Sequence, residues 1–165
     1  AELDDTQALI VGDALFGEQP YRASLEGEIG RSSGRHRIHL TGFRPDIPAL
    51  MQLCDVVVHT SIAPEPFGRV IVEAMLAGRP VIASAAGGAK EIVEDGRSGI
   101  LVPPGEPQAL TAAIRTLLAS PQLAADLAAA GRQRALAHFG LDAALARIEA
   151  HIAGILAEGR PRSRA

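Results

Sequence analysis

The chain has 165 residues, of which 47% are apolar and 21% are charged, and its formal net charge is −3 at pH 7. A chain of this length and apolar content can bury a hydrophobic core, which excludes intrinsic disorder over most of its length. The negative net charge and the aromatic content of only 3% disfavour a nucleic-acid binder, whether it depends on bulk positive charge or on base stacking.

Short apolar runs alternate with longer segments of helical pattern along the chain. They predict strands at 8–11, which suits a strand buried on both faces, and at 38–42, 56–58, 80–83 and 100–102. The segments between and after them predict helices at about 18–30, 45–53, 67–76, 107–118, 122–138 and 141–157. This alternation is typical of an α/β fold, a Rossmann-like doubly wound parallel sheet with helices on both faces. We expect one domain over 1–158 and a disordered basic tail over 159–165.

In such a sheet, ligands bind at the carboxyl ends of the strands. Glu65 lies in a proline-flanked loop just after the third predicted strand, and Glu73 lies within the helix that follows. The free amides of Phe67, Gly68 and Arg69 at the start of that helix are suited to meeting a phosphate, helped by the helix dipole. Two glutamates taken alone would more simply be solvated surface carboxylates, so the sequence around them matters.

The run EPFGRVIVEAMLAGRPVIAS at 65–84 places seven residues between Glu65 and Glu73. It resembles the Glu-x7-Glu motif of retaining, nucleotide-sugar-dependent glycosyltransferases with the GT-B fold, of the family 4 type (glycosyl transferases group 1). Similar segments follow the family's order and spacing: VGD, HLTGF, DVVVHTS and AGGAKEIVEDGRSGILVPPGEPQALTAAI, which start at positions 11, 39, 55 and 86. One Glu-x7-Glu match alone is a weak signal, whereas these segments together indicate the C-terminal, donor-binding domain of this family.

The resemblance implies roles for individual residues. It implies that Glu65, the expected catalytic residue, contacts hydroxyls of the donor sugar, and that Glu73 contacts the donor ribose. The complete set of donor-binding positions that it implies is Glu73, Phe67, Gly68, Arg69, Arg44, Phe43, Gly42, Ser61, Gly87 and Gly88. For Arg44, a position beside the nucleobase and an ordinary surface position both stay open. For Gly87 and Gly88, the simpler interpretation is a tight turn that opens a helix.

The resemblance also implies parts that this sequence lacks. In the family, a βα unit with an arginine and a lysine that hold the donor diphosphate comes first, and that unit and the N-terminal acceptor domain would precede Ala1. The absent strand is normally central, so we expect exposed main-chain groups or a gap in the sheet. Either the chain is a fragment of a larger enzyme or its sheet closes differently. Without the basic pair and the acceptor domain, we expect little or no transferase activity from this chain on its own.

The expected partners are a nucleotide-diphospho-sugar, such as a UDP- or GDP-sugar in polysaccharide biosynthesis, and the missing acceptor domain. No cofactor and no metal are expected, because the family's transfer needs none and the five histidines show no metal-ligand spacing. The one cysteine, Cys54, excludes an internal disulfide framework, and no membrane-spanning run or signal peptide is visible. The expected location is the cytoplasm, and the basic tail leaves open a peripheral contact with acidic lipids.

Two alternatives to a transferase remain. The chain could be a non-catalytic nucleotide-sugar-binding module. A dinucleotide-dependent enzyme is disfavoured, because no GxGxxG follows a predicted strand and no GxxxxGK[ST] phosphate loop occurs.

His59 is interpreted as a strand histidine that packs at the end of the sheet.

Overall fold

The computed structural model describes residue 3 and residues 5–15 and 17–158 of the chain. The predicted tail at 159–165 lies outside the described residues. The strands are β1 (Ala8–Val11), β2 (Ile38–Gly42), β3 (Val57–His59), β4 (Val81–Ser84) and β5 (Ile100–Val102). The helices are α1 (Gln19–Arg31), α2 (Ile47–Leu53), α3 (Arg69–Leu76), α4 (Ala89–Ile92), α5 (Pro107–Ala119), α6 (Pro121–Phe139) and α7 (Leu141–Glu158). Every predicted strand and helix is therefore present, with ends displaced by at most two residues.

The chain divides into two compact units, Ala1–Leu50 and Met51–Ala165. In the first unit, β1 and β2 pair in parallel, with Ala8 opposite Ile38. The prediction that β1 is buried on both faces is wrong, since Leu9 is 42% exposed. The physical reason is a lack of covering layers: within the described residues β1 pairs with β2 alone, and α1 has no buried residue.

The second unit contains the hydrophobic core. Its parallel sheet has the order β3-β4-β5, and all four residues of the central strand β4 are buried. The helices α5 and α6 pack against this sheet through a cluster of buried residues, which comprises Ile82, Val102, Ala113, Leu117 and Leu127. The alternation of parallel strands and helices confirms the predicted α/β class. In the residues that the structure describes, β3 pairs with β4 alone.

The short helix α4 is fixed from the α6 side by one arginine. The guanidinium of Arg134 donates hydrogen bonds to the backbone carbonyls of Glu91 (2.8 Å) and Ile92 (2.6 Å) and to the carboxylate of Glu94. Carbonyls at the end of a helix have no partner inside the helix, so the Arg134 side chain satisfies groups that would otherwise be unpaired. This contact fixes the segment after β4 that contains α4.

No helix among the described residues is both long enough and apolar enough to cross a membrane.

Candidate functional site

The loops that follow β3 and β4 meet at one end of the sheet in the second unit. The two strands are parallel and neighbouring, with His59 opposite Ala83 at their last paired position, so both chains leave the sheet at the same edge. The amide of Gly88, in the loop after β4, donates a hydrogen bond of 2.9 Å to the carbonyl of Glu65, in the loop after β3. The carboxyl ends of β3 and β4 therefore carry the joined loops, as the doubly wound interpretation predicts.

The joined loops require glycine at two consecutive positions. A methyl group on Gly88 would lie 2.2 Å from the carbonyl oxygen of Phe67, and one on Gly87 would lie 2.1 Å from the carbonyl oxygen of Glu65. Gly87 also has a φ of +53°, a conformation that favours glycine. The interpretation as a tight turn that opens a helix is confirmed, since α4 begins directly after Gly88. The implied contact between these glycines and a donor stays a prediction.

The carboxylate of Glu65 is held by two side chains. The hydroxyl of Ser61 donates a hydrogen bond of 2.9 Å to Oε1 of Glu65, and Nε2 of His59 lies 3.2 Å from the same oxygen. The Glu65 side chain is 43% exposed, whereas the His59 side chain is only 10% exposed. One carboxylate oxygen is thus occupied within the protein, and the side chain still reaches solvent, where it could accept hydrogen bonds from ligand hydroxyls.

The helix α3 begins at Arg69, two residues after the predicted start. Gly68 precedes it with a φ of +101°, and among the described residues no side chain caps the helix. In the first turn the N–H of Ile71 donates a hydrogen bond of 3.0 Å to the carbonyl of Gly68. The N–H groups of Arg69 and Val70 before it have no intrahelical partner, so this uncapped start is suited to an anion. The side chain of Phe67 packs edge-to-face on Phe139 at the end of α6, with ring centroids 5.9 Å apart. This packing anchors the loop just before the helix start.

Glu73 and Arg69 form an ion pair on α3. Nε of Arg69 lies 2.9 Å from Oε1 of Glu73, one helical turn away, and the Arg69 side chain is 85% exposed. Exposed pairs of this kind contribute little to stability, so either group can exchange its partner for a ligand at small cost. The implied contact of Glu73 with a ribose stays a prediction.

Three of the predicted positions belong to the first unit. Gly42 ends β2 with a φ of +67°, and Phe43 after it is 69% exposed. The guanidinium of Arg44 makes a bidentate contact with Asp46 at 2.8 and 2.6 Å. This pairing lowers the pKa of the Asp46 carboxyl, chiefly through the hydrogen bond from Arg44, and it raises the pKa of Arg44. The implied position of Arg44 beside a nucleobase stays a prediction.

Sequence reasoning missed two residues of this site. His59 does pack at the end of the sheet, but it also contacts Glu65, and Phe139 supports Phe67 from a distant helix. The spacing of His59 and Ser61, two residues apart at a strand end, could have indicated that both side chains lie on one side of the chain. No local pattern could have indicated Phe139, which is more than 70 positions away in the sequence.

Known proteins with similar sequences belong to the family that the motifs in this chain indicate. Residues 1–134 match the family described as glycosyl transferases group 1. The alpha-D-kanosaminyltransferase of Streptomyces kanamyceticus is 35% identical over 142 residues, which are 85% of this chain and 35% of that protein. The chain therefore spans about a third of the length of this curated relative.

Solved structures show the same fold. The chain is similar to Anabaena HepE in complex with UDP, with a TM-score of 0.83 and 48% identity over 93% of this chain and 41% of that chain. It is also similar to HepE in complex with UDP-glucose, with a TM-score of 0.83 and 46% identity over 95% and 43% of the two chains. The C-terminal domain of the group 1 glycosyl transferase LpcC from Francisella tularensis matches with a TM-score of 0.74 and 27% identity, over 82% and 70% of the chains. From the family match, the relative and these folds together, this chain belongs to the glycosyl transferases group 1 family and has the Rossmann-like architecture of a GT-B domain.

Proposed function

We propose that this chain is the donor-binding part of a retaining glycosyltransferase that moves a sugar from a nucleoside-diphospho-sugar to an acceptor. The observation that carries the proposal is the arrangement after β3, where the Glu65 carboxylate precedes the uncapped start of α3. The complexes of the similar HepE with UDP and UDP-glucose support a nucleotide-sugar donor, and UDP-glucose is therefore the first donor to test.

The two parts of this arrangement suit the two parts of such a donor. A carboxylate accepts charge-assisted hydrogen bonds with narrow geometry, so Glu65 is matched to the hydroxyls of a sugar. The amides and dipole at the start of α3 are matched to a diphosphate, and they stabilise the negative charge that the diphosphate gains as it leaves. Arg69 adds a positive charge at the same helix start, and Glu73 is assigned to the ribose on the basis of the family resemblance.

The chemistry that we propose needs no side-chain nucleophile. The bond between the sugar and the phosphate oxygen breaks, the acceptor oxygen forms the new bond on the same face, and the departing phosphate oxygen takes the acceptor's proton. Catalysis then consists of positioning the reactants and stabilising the leaving group. We further propose that neither a metal nor another cofactor takes part.

The whole enzyme is proposed to be larger than this chain, because the chain spans only 35–43% of the kanosaminyltransferase and HepE chains. In this proposal an acceptor-binding domain and the basic pair for the diphosphate lie elsewhere in the enzyme, and residues 1–165 alone transfer little or no sugar. A cytoplasmic location and a peripheral contact with acidic lipids belong to the same proposal.

The test compares Glu65→Gln with the wild type in the full-length gene product, with radiolabelled UDP-glucose and GDP-mannose as donors. Glu106→Gln, at an exposed carboxylate before α5, is the matched control. We expect Glu65→Gln to lose transfer and donor hydrolysis while its circular dichroism stays that of the wild type, and the control to stay active. Unchanged turnover in Glu65→Gln would refute the role of Glu65. A wild type that binds UDP-glucose without transferring or hydrolysing it would instead be a non-catalytic binding module.

A further inference from the structure

His59 is a buried histidine whose place in the fold is not explained by packing. Its side chain is only 10% exposed, and its Nδ1 is buried without a hydrogen-bond partner among the described residues. A buried polar atom without a partner destabilises a fold, and an apolar side chain of similar size would avoid that loss. The stability of the sheet therefore gives no reason for a histidine at this position.

The contacts of the other ring nitrogen, Nε2, account for a histidine at this position. Nε2 lies 3.2 Å from Oε1 of Glu65 and 3.4 Å from the hydroxyl oxygen of Ser61. Ser61 gives its own hydrogen to Oε1 of Glu65, so its oxygen can only accept from His59, and a carboxylate oxygen only accepts as well. Both neighbours of Nε2 are thus acceptors, which places a hydrogen on Nε2.

From this geometry we infer that His59 is a positioning residue for Glu65, an inference that rests on the proposed function. His59 and Ser61 hold Oε1 from the strand side, while Oε2 accepts no hydrogen bond from the described residues and is left for the donor sugar. A glutamate side chain that is free to rotate loses conformational freedom when a ligand fixes it. Fixing Glu65 before the donor arrives removes that loss and keeps the carboxylate in the geometry that recognises the sugar.

The position of His59 makes it suited to this task. It is the last residue of β3 and is paired with Ala83 of the buried central strand, so its backbone is fixed by the parallel ladder. Glu65 lies in the loop, where the backbone alone does not define the direction of a long side chain. A residue on a strand therefore supplies the precision that the loop lacks.

The experiment uses the full-length gene product and compares two variants. His59→Leu removes the hydrogen-bond donor Nε2, whereas His59→Gln has an amide nitrogen that can occupy the position of Nε2. Two probes are measured: the Kd of UDP alone, and kcat/KM for glucose transfer or hydrolysis with UDP-glucose. His39→Leu is the matched control, because His39 is exposed and its Nε2 also contacts a side-chain oxygen, that of Gln7 at 2.8 Å.

We expect His59→Leu to lower kcat/KM for UDP-glucose by about 10- to 100-fold, since a small displacement of a positioned group has effects of this size. The Kd of UDP alone should stay within about twofold of the wild-type value, because UDP lacks the glucosyl group that Glu65 is proposed to contact. His59→Gln should recover most of the activity. In the Glu65→Gln background, where transfer is lost, His59→Leu should leave the Kd of UDP-glucose unchanged, since residues that act as a unit are not additive.

Three outcomes would overturn the inference. A wild-type value of kcat/KM in His59→Leu would show that Glu65 needs no support from His59. A loss of affinity for UDP alone that is as large as the loss in kcat/KM would indicate general damage to the fold. A His59→Gln variant as poor as His59→Leu would exclude the Nε2 hydrogen bond. If His59→Leu does not fold, His59→Phe, which keeps a ring in the same space, takes its place. A wild type without any activity on nucleotide sugars would refute the proposed function, and this result is distinct from all three.

Discussion

Gly88→Ala adds a single methyl group where the two site loops touch. The methyl carbon would lie 2.2 Å from the carbonyl oxygen of Phe67 and 2.7 Å from its Cα, whereas real contacts of this kind are not shorter than 3.0 Å. Both neighbouring atoms belong to the backbone, so no side chain can rotate away. Gly88 has a φ of −61°, which alanine adopts freely, and the whole effect is therefore steric.

Relief of this clash requires the loops to separate by about 0.8 Å, the difference between 2.2 and 3.0 Å. The hydrogen bond from the Gly88 amide to the Glu65 carbonyl, now 2.9 Å, would stretch to about 3.7 Å and be lost. Overpacking of this kind destabilises a protein by about 1–3 kcal/mol. A displacement of Glu65 by nearly 1 Å would also lower a positioning-dependent rate by about 100-fold.

The assay measures the Tm by circular dichroism and kcat/KM with UDP-glucose for the full-length gene product. We expect Gly88→Ala to lower both. The matched control is Gly154→Ala in α7, where an added methyl group would meet no described atom within 4 Å beyond its chain neighbours and the adjacent backbone of its own helix. This control should raise the free energy of unfolding by up to about 1 kcal/mol, because alanine favours a helix over glycine, and it should leave turnover unchanged. A Gly88→Ala variant with wild-type Tm would refute the steric reasoning, whatever its activity.

Three further predictions concern the support of α4 by Arg134, the pairing of Arg44 with Asp46, and the proposed absence of a metal from the reaction. Arg134→Met should destabilise the protein by about 1–3 kcal/mol, measured by urea unfolding, because it leaves the carbonyl of the buried Ile92 without a partner. Arg97→Met, which removes only an exposed ion pair to Glu94, should change the stability far less; equal losses in the two variants would contradict this account. The Asp46 carboxyl should titrate below its ordinary pKa of 3.8 by NMR, and Arg44→Gln should move the midpoint back towards that value. Because the pKa of Asp46 is lowered in the folded state, the pair's contribution to stability is present above pH 3.8 and is lost as the pH falls through the folded value. Finally, treatment of the full-length gene product with EDTA should leave transfer from UDP-glucose unchanged, and a loss that Mg²⁺ or Mn²⁺ restores would refute the metal-free mechanism.

Much of the fold was predictable from the sequence because its signals are local. A run such as Ala8–Val11 and the proline that opens α5 act within a few residues, and they locate strands and helices to within two positions. The wrong prediction, that β1 is buried on both faces, depends instead on non-local contacts. Apolar composition predicted burial, but burial depends on which layers cover a strand, and within the described residues β1 has only β2 beside it.

In the candidate site, too, some features follow from local sequence and others only from tertiary contacts. The sequence by itself determined the glutamate after β3, the glycine before α3 and the family to which the chain belongs, since each depends on residue types at fixed spacing. Only the tertiary structure decided that the glycine turn after β4 touches the backbone of Glu65 and that His59 contacts its carboxylate. The physical reason is that parallel pairing of β3 and β4 brings together loops that are more than 20 residues apart, and spacing along a chain contains no measure of that distance in space.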